Sequence, residues 1–575
     1  MILCRTYRQI GLLLAILFST LASYSQDSYQ EQIFVHLDRN YYLSGEQIRF
    51  SIYCQEKGSG KPARASALAH IELMNQEGRV IRKGKIKLAV GVGSGSLDVP
   101  SDIDSEEHII RCYTSWMRNF GPHHYYYNSI LIIHPSKPYD PPIINRNPDE
   151  KELPVDVADM VQIRAVGLEK TYAVRDSISF SLETQTPPGS APHARVSVSI
   201  TRSGNYSVSA SSNSMRPVPA TLPGDAGVDQ PLTMKYLPDM EGLQLTGVVQ
   251  QRVSGKPVVN EHVILSFIDS ITEILSVKTD LEGRFRFDLN GLTGEKDMII
   301  QTFHGNGDVL ITIDPDFSRE AIPEFARVSL EKENLDGLFT EMILNQQLTS
   351  AYAQQKTYDS AGSPGLPALK QYLPFYGRHD HRIVMEEFIK LPVMEEVLRE
   401  LGKRIYLERE QGKYKVSILD LNTNRIIGDQ PYYFLDGIPF FESQKLLDLD
   451  PGQIKSISLK SEKYFVGDLV MDGIVDIRSR KGDASLIDFP RSAIRQYFQA
   501  FSEEVSACVS PPLNDPRIPL FRTTLFFDPL VEMEPDKATT IGLIAPDAKG
   551  TYDIVIKGLD HEGRIVDQEF SFVVK

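Results

Sequence analysis

Cysteine occurs four times and tryptophan once in 575 residues, and no apolar run reaches the ~20 residues that a membrane-spanning helix needs. Tandem repeats of fixed period and coiled-coil heptads are also missing. The formal net charge is −15, or about −17 once the acid-free first 25 residues with Arg5 and Arg8 are set aside. Nucleic acid and anionic lipid both reward a basic face, so this balance excludes them as main partners. Hydrophobic and charged contents of 41% and 24% are those of folded protein and exclude bulk disorder. At ~100–200 residues per domain, the length allows about four units.

The chemistry-bearing signatures are absent too. There is no Gly-x-Ser-x-Gly elbow and no His-Glu-x-x-His helix. Gly58-Ser59-Gly60-Lys61 ends like a phosphate loop, but Pro62 stands where Ser or Thr should hold magnesium. Gly91-Val92-Gly93-Ser94-Gly95-Ser96 misses the third glycine of a dinucleotide fingerprint and reads as a hairpin. His379 and His381 share a face of an extended segment and could present two imidazoles to a metal, whereas the adjacent His123 and His124 point apart. We read the 379–381 run as a solvated loop. The chain is expected to be no enzyme and to carry no cofactor or metal.

What is present begins with a secretory signal. Arg5 and Arg8 make a basic n-region, Ile10 to Leu17 an apolar core, and Ser23-Tyr24-Ser25 a cleavage site before Gln26. Residues 1–25 are therefore expected to be removed, and the mature chain is expected not to span a membrane. Export permits a disulfide among the remaining Cys54, Cys112 and Cys508. Cys54 and Cys112 lie in strand-like runs and are the candidate pair; two small buried residues in one core is the other reading.

Residues 31–134 alternate with period two, as in Gln47-Ile48-Arg49-Phe50-Ser51-Ile52-Tyr53, and read as a β-sandwich. A proline-rich linker follows at 135–154. A second strand cluster spans 155–203, including Ala194 to Ile200, and 204–240 loses periodicity and reads as a linker or loop. Strands return over 241–332. A helical connector is expected over 333–401, in stretches Leu335 to Leu348 and Val384 to Leu401, the second kinked at Pro392. Residues 402–485 read as a small α+β unit, Arg491 to Phe501 as a helix, and 515–575 as strands. The fold class is thus mainly β, with tandem β-sandwiches, an α+β unit and a helical connector. Trp116, Tyr125, Tyr126 and Tyr127 form the richest aromatic cluster and are candidate interface residues, with ordinary strand packing as the other reading.

Ile33 to Glu46, with His36-Leu37-Asp38-Arg39, resembles the opening of an alpha-macroglobulin-type sandwich, and Tyr113 to Phe120 resembles its late strand in envelope proteins of Bacteroidota. Leu245-Thr246-Gly247-Val248-Val249, Gly255-Lys256-Pro257-Val258 and Thr279 to Phe287 resemble a carboxypeptidase regulatory-like domain, an accessory module without the peptidase. Phe434-Leu435-Asp436-Gly437-Ile438-Pro439, Leu449 to Leu459 and Met471 to Ile477 resemble the plug of TonB-dependent receptors, here without room for a barrel after it. Arg522 to Pro529 and Gly550 to Ile556 resemble a late macroglobulin domain, and the thioester run of the inhibitory macroglobulins is absent. Residues 155–203 and 515–575 each hold too few strands for a sandwich, so they are expected to complete one another.

These resemblances imply a non-catalytic protein of the periplasm or outer membrane that serves binding or assembly. The implied partner is an envelope protein, such as a TonB-dependent barrel. The alternative is a thioester-free, macroglobulin-like trap for proteases or peptides, with 204–240 as its bait.

Overall fold

The computed structural model describes residues 29–137, 160–184, 193–203, 234–268, 273–303, 308–323, 337, 339–349, 351, 373–410, 413–420, 423–427, 431–509, 519–534 and 537–575. The expected signal peptide, residues 138–154 of the expected linker, residues 204–233 of the expected loop and the start of the first expected connector helix lie outside the described residues.

The first unit is a two-sheet sandwich. Strands Glu31–Leu37, Gln47–Glu56 and Val92–Asp98 make one sheet. Tyr41–Leu43, Tyr126–Ile133, Glu106–Tyr113, Leu68–Met74 and Val80–Lys87 make the other, in that spatial order. Successive strand side chains point to opposite faces, so Ile48, Phe50, Ile52 and Cys54 all enter the core. They meet Ile71, Leu73, Ile110, Cys112, Ile130 and Ile132 from the opposite sheet. The Gly-rich run at 91–95 is needed for close packing. A Cβ on Gly95 would stand 2.6 Å from Ile86, and one on Gly91, at φ +73, 2.4 Å from the Cys54 carbonyl.

The second unit is assembled from two distant pieces of chain. Strand Ala194–Arg202 lies between Gly550–Asp560 and Thr524–Met533, antiparallel to both, with Ala194 opposite Asp560 and Arg202 opposite Tyr552. Ser177–Thr184 pairs likewise with Thr539–Ile544, forming the facing sheet with Ile163–Val166. Ile178, Phe180, Val196, Val198 and Ile200 share a core with Leu525, Tyr552, Ile554, Ile556 and Phe572. Neither piece could bury its apolar face alone, and the third and fourth units are inserted between them.

The third unit packs Arg284–Asp288, Gln244–Gln251 and Val309–Ile313 against Ile274–Lys278, His262–Phe267, Glu295–Thr302 and Ile494–Gln499. The last strand corrects the helix expected over Arg491 to Phe501. Ile494, Tyr497, Phe498 and Phe501 have helical spacing, but only Ile494, Phe498, Ala500 and Phe501 pack on the core, and Tyr497 is exposed. The open edge of Glu295–Thr302 supplies hydrogen-bond partners that override local periodicity.

The fourth unit has a five-stranded sheet ordered His381–Val384, Ile454–Val466, Leu469–Ser479, Tyr432–Leu435, Ile438–Phe440. A smaller sheet, Ile405–Glu410, Lys413–Asp420 and Arg425–Ile427, and the helices Met394–Glu400 and Ser443–Leu447 complete it. The helix expected over Val384 to Leu401 is therefore only its final part. His381–Val384 is instead an edge strand on Ser456–Leu459, and the helix starts just after Pro392 and Val393, since the residue before a proline avoids the helical region. Helical residues 339–349 lie on the first sandwich, where Phe339, Met342 and Ile343 cover Tyr41, Leu43, Leu131 and Ile133.

Candidate interaction sites at the seams between units

The outer face of the first unit's smaller sheet carries His36, Ser51 and Tyr53, polar residues that are nonetheless buried. They meet the split sandwich. Tyr53 OH stands 2.9 Å from both Ser197 Oγ and the Lys557 carbonyl, and Ser51 Oγ donates to the Pro529 carbonyl at 2.7 Å. His36 Nδ1 is 2.6 Å from Ser197 Oγ. At one end of the seam Thr524 Oγ1 donates to Asp38 Oδ2 at 2.7 Å, and Arg39 joins Thr524, Asp38 and Glu46. Phe34, Tyr53, Val92 and Leu559 form its apolar part.

The Ser197–His36 pair has the contact of a nucleophile and base, but both groups are sealed between two sheets. Burial, reinforced by Lys557, pushes the imidazole well below its ordinary pKa. Such a pair reads as a hydrogen-bonded rivet between units, since a catalytic base must reach a substrate.

A second seam joins the first and third units. Arg111 is fully buried and bonds Glu72 at 2.6–2.7 Å, then reaches the carbonyls of Ser318 (3.0 Å) and Glu320 (2.9 Å) on the segment leaving the third unit. Ser318 N donates to Tyr113 OH at 2.7 Å, and Lys85 pairs with Asp316 at 2.6 Å. Burial raises the Glu72 carboxyl, opposed by Arg111. The third and fourth units meet through Ile264, Ile274, Tyr376, Phe434, Leu469, Met471 and Ile474, with Gln301 Nε2 donating to the Pro439 carbonyl at 2.7 Å.

The sequence-selected residues are distributed over these features. Tyr125 is buried, its ring stacked on Tyr113 at 4.5 Å and its hydroxyl donating to Glu320 at 2.7 Å. Tyr127 lies beside it, ring to ring at 6.4 Å, while Tyr126 turns to the other face and donates to the Val35 carbonyl at 3.1 Å. Trp116 is separate from this group. It is half-buried in a row with Tyr29, Phe120 and His124, and its indole N–H donates to the Tyr29 carbonyl at 2.9 Å. Cys54 and Cys112 are free thiols, both fully buried in the first core, and burial raises both thiol pKa values. His381 faces the Leu401 carbonyl, and Asp380 is taken up by Ser461 and Lys460. Among the described residues no group of three or more His, Cys, Asp or Glu side chains is placed to hold a metal.

Sequence reasoning missed His36, Ser197, Arg111 and Asp436. Asp436 is fully buried at φ +52 and accepts from Ser479 N (2.9 Å), Ser479 Oγ (2.6 Å) and Ala484 N (3.0 Å). Charged or polar residues inside otherwise apolar strands were the available signal, but pattern alone does not tell a seam from solvent.

No family model matches the chain, and no curated protein matches it. Among solved structures it is similar to the native conformation of E. coli alpha-2-macroglobulin, at TM-score 0.24 and 10% identity, covering 96% of this chain and 40% of that one. Trypsin-activated Escherichia coli alpha-2-macroglobulin gives TM-score 0.24 and 11% identity over 95% and 42% of the two chains. Salmonella alpha-2-macroglobulin reacted with methylamine gives 0.16 and 10% over 95% and 23%. This chain spans about two fifths or less of those structures. The chain's own strands make it a mainly β protein of packed sandwiches.

Proposed function

We propose that this chain is an exported, non-catalytic envelope protein that acts as a rigid binding or assembly body, with a TonB-dependent barrel or another envelope protein as its partner. The observation that carries this reading is the set of buried, hydrogen-bonded seams. They tie the four β-rich units together. The plug-like unit supports it as well, since one of its sheet faces is fixed on the third sandwich through Phe434, Leu469, Met471 and Ile474. The signal-like amino terminus supports export to the periplasm or outer membrane. Crosslinking of the mature protein in its native envelope, read by mass spectrometry, tests this. Recovery of an outer-membrane barrel or its lipoprotein through residues 405–480 is the expected result, and recovery of proteases or peptides alone refutes it.

One observation favours the trap reading. The chain leaves the split sandwich at Ser203, whose N–H donates to the Thr551 carbonyl, and returns on the first sandwich, where the amides of Lys235 and Tyr236 donate to Asn119. A cut between these anchors would sever a link between two units. Digestion confined to 204–233 that changes the hydrodynamic radius would move the weight to that reading.

A further inference from the structure

The first and third sandwiches are held together where chain enters and leaves the third. The entering segment is fixed by Asn119, which accepts from the amides of Lys235 (2.8 Å) and Tyr236 (2.9 Å) and donates to the Tyr236 carbonyl (2.7 Å). Ala67 N donates to the Asp239 carbonyl at 3.0 Å. Arg118 holds both segments at once. Its guanidinium covers the Tyr236 ring at 3.8 Å and donates to the Asp316 carbonyl at 3.2 Å.

Within this junction the Asp239 carboxyl is out of place. Its Oδ2 is buried and no donor among the described residues reaches it. The charged groups that bear on it are Asp316, Lys85, Arg118 and Glu31. Lys85 is already committed to Asp316 at 2.6 Å, and Glu31 already accepts from Ser66 at 2.8 Å and Thr114 at 2.7 Å. A second carboxylate beside Asp316 is therefore poorly compensated, whereas a neutral acid removes the repulsion and can donate a hydrogen bond.

We propose that this junction is a proton-operated latch, closed when Asp239 is protonated and loosened when Asp239 and Asp316 are both charged. Burial, followed by Asp316, raises the Asp239 carboxyl to about 7. Once the junction opens, solvent returns it toward its ordinary value of 3.8. The closed form then holds more protons than the open form between about pH 4 and 7, so closure strengthens as pH falls through 7. From those two values, closure at pH 6 exceeds that at pH 8 by about tenfold. His70 packs on Phe317 of the same junction and is held neutral by burial, Lys85 and Arg118, so where opening exposes it, it takes up a proton below about pH 6.5 and opposes the Asp239 effect; the full tenfold is therefore read in His70→Gln.

The junction carries its own reporters, the amides of Ala67, Lys235 and Tyr236. Hydrogen exchange of the full mature chain carrying His70→Gln, corrected for intrinsic rates, should show their protection rising about tenfold from pH 8 to 6. The Ile554 amide, in the centre of the split sandwich, should not change. Asp239→Asn in that background should hold the three amides at high, pH-independent protection. Asp316→Asn, which removes the repelling charge, should move the transition to lower pH. Flat protection in the His70→Gln chain overturns the proposal, as does an unchanged slope on adding Asp239→Asn or an unmoved transition on adding Asp316→Asn.

Discussion

Replacing Asp436 tests whether one buried carboxylate organises the fourth unit. Asp436 and Gly437 both have positive φ, at +52 and +88, and form the turn from Tyr432–Leu435 into Ile438–Phe440. From that turn the carboxylate gathers Ser479, the last residue of the central strand Leu469–Ser479, and Ala484 beyond it. Asp436→Ala would remove three hydrogen bonds to a charged acceptor and strand two backbone N–H groups, at about 1–3 kcal/mol each. It would also place Ala in the left-handed region, at about 1 kcal/mol. A total near 4 kcal/mol follows, which is about a thousandfold faster opening. Asn tolerates this backbone and keeps one acceptor oxygen, so Asp436→Asn should cost about half as much. Hydrogen exchange of the amides in 432–435 and 474–477 reads both. If Asp436→Ala leaves their protection within tenfold of wild type, or costs no more than Asn, the carboxylate is not the organising group and the reasoning fails.

Three further outcomes follow from the seams. Arg111→Met leaves Glu72 buried without its partner and should cost about 3–5 kcal/mol, whereas the double change with Glu72→Leu should recover most of it; calorimetry of the three variants decides this. His36, His70 and His108 are buried with lowered pKa values, chiefly through desolvation. Their folded pKa lies below the unfolded value of 6.5, so stability is complete above about pH 6.5 and is lost as pH falls below it. Melting temperature should drop from pH 7.5 to pH 5, less steeply in His36→Gln, and an equal slope in that variant would dismiss the seam histidine as a contributor. Ending the chain at residue 503 removes both neighbours of Ala194–Arg202, so residues 160–203 should become protease-sensitive; continued protection there would contradict the shared core.

The sequence by itself determined the mainly β class, because period-two alternation such as Ile48, Phe50, Ile52 and Cys54 places one set of side chains in a core whatever strand lies opposite. The run 91–96 reads as a hairpin, but only Gly91 lies in a turn before strand Val92–Asp98, and the groups that exclude a Cβ along it, the Cys54 carbonyl and Ile86, come from other strands. Tertiary structure alone decided where open sheet edges were filled. Arg491 to Phe501 has helical spacing yet becomes a strand, because Glu295–Thr302 offers unpaired hydrogen-bonding groups worth more than local preference. It also decided the role of the polar seam residues. His36, Ser51 and Tyr53 alternate with core residues and would face water on an isolated sandwich; they are buried because another sheet, which pairs residues 350 or more positions apart, lies against them. Local pattern reports which residues share a face, but what covers that face depends on the distant chain that reaches it.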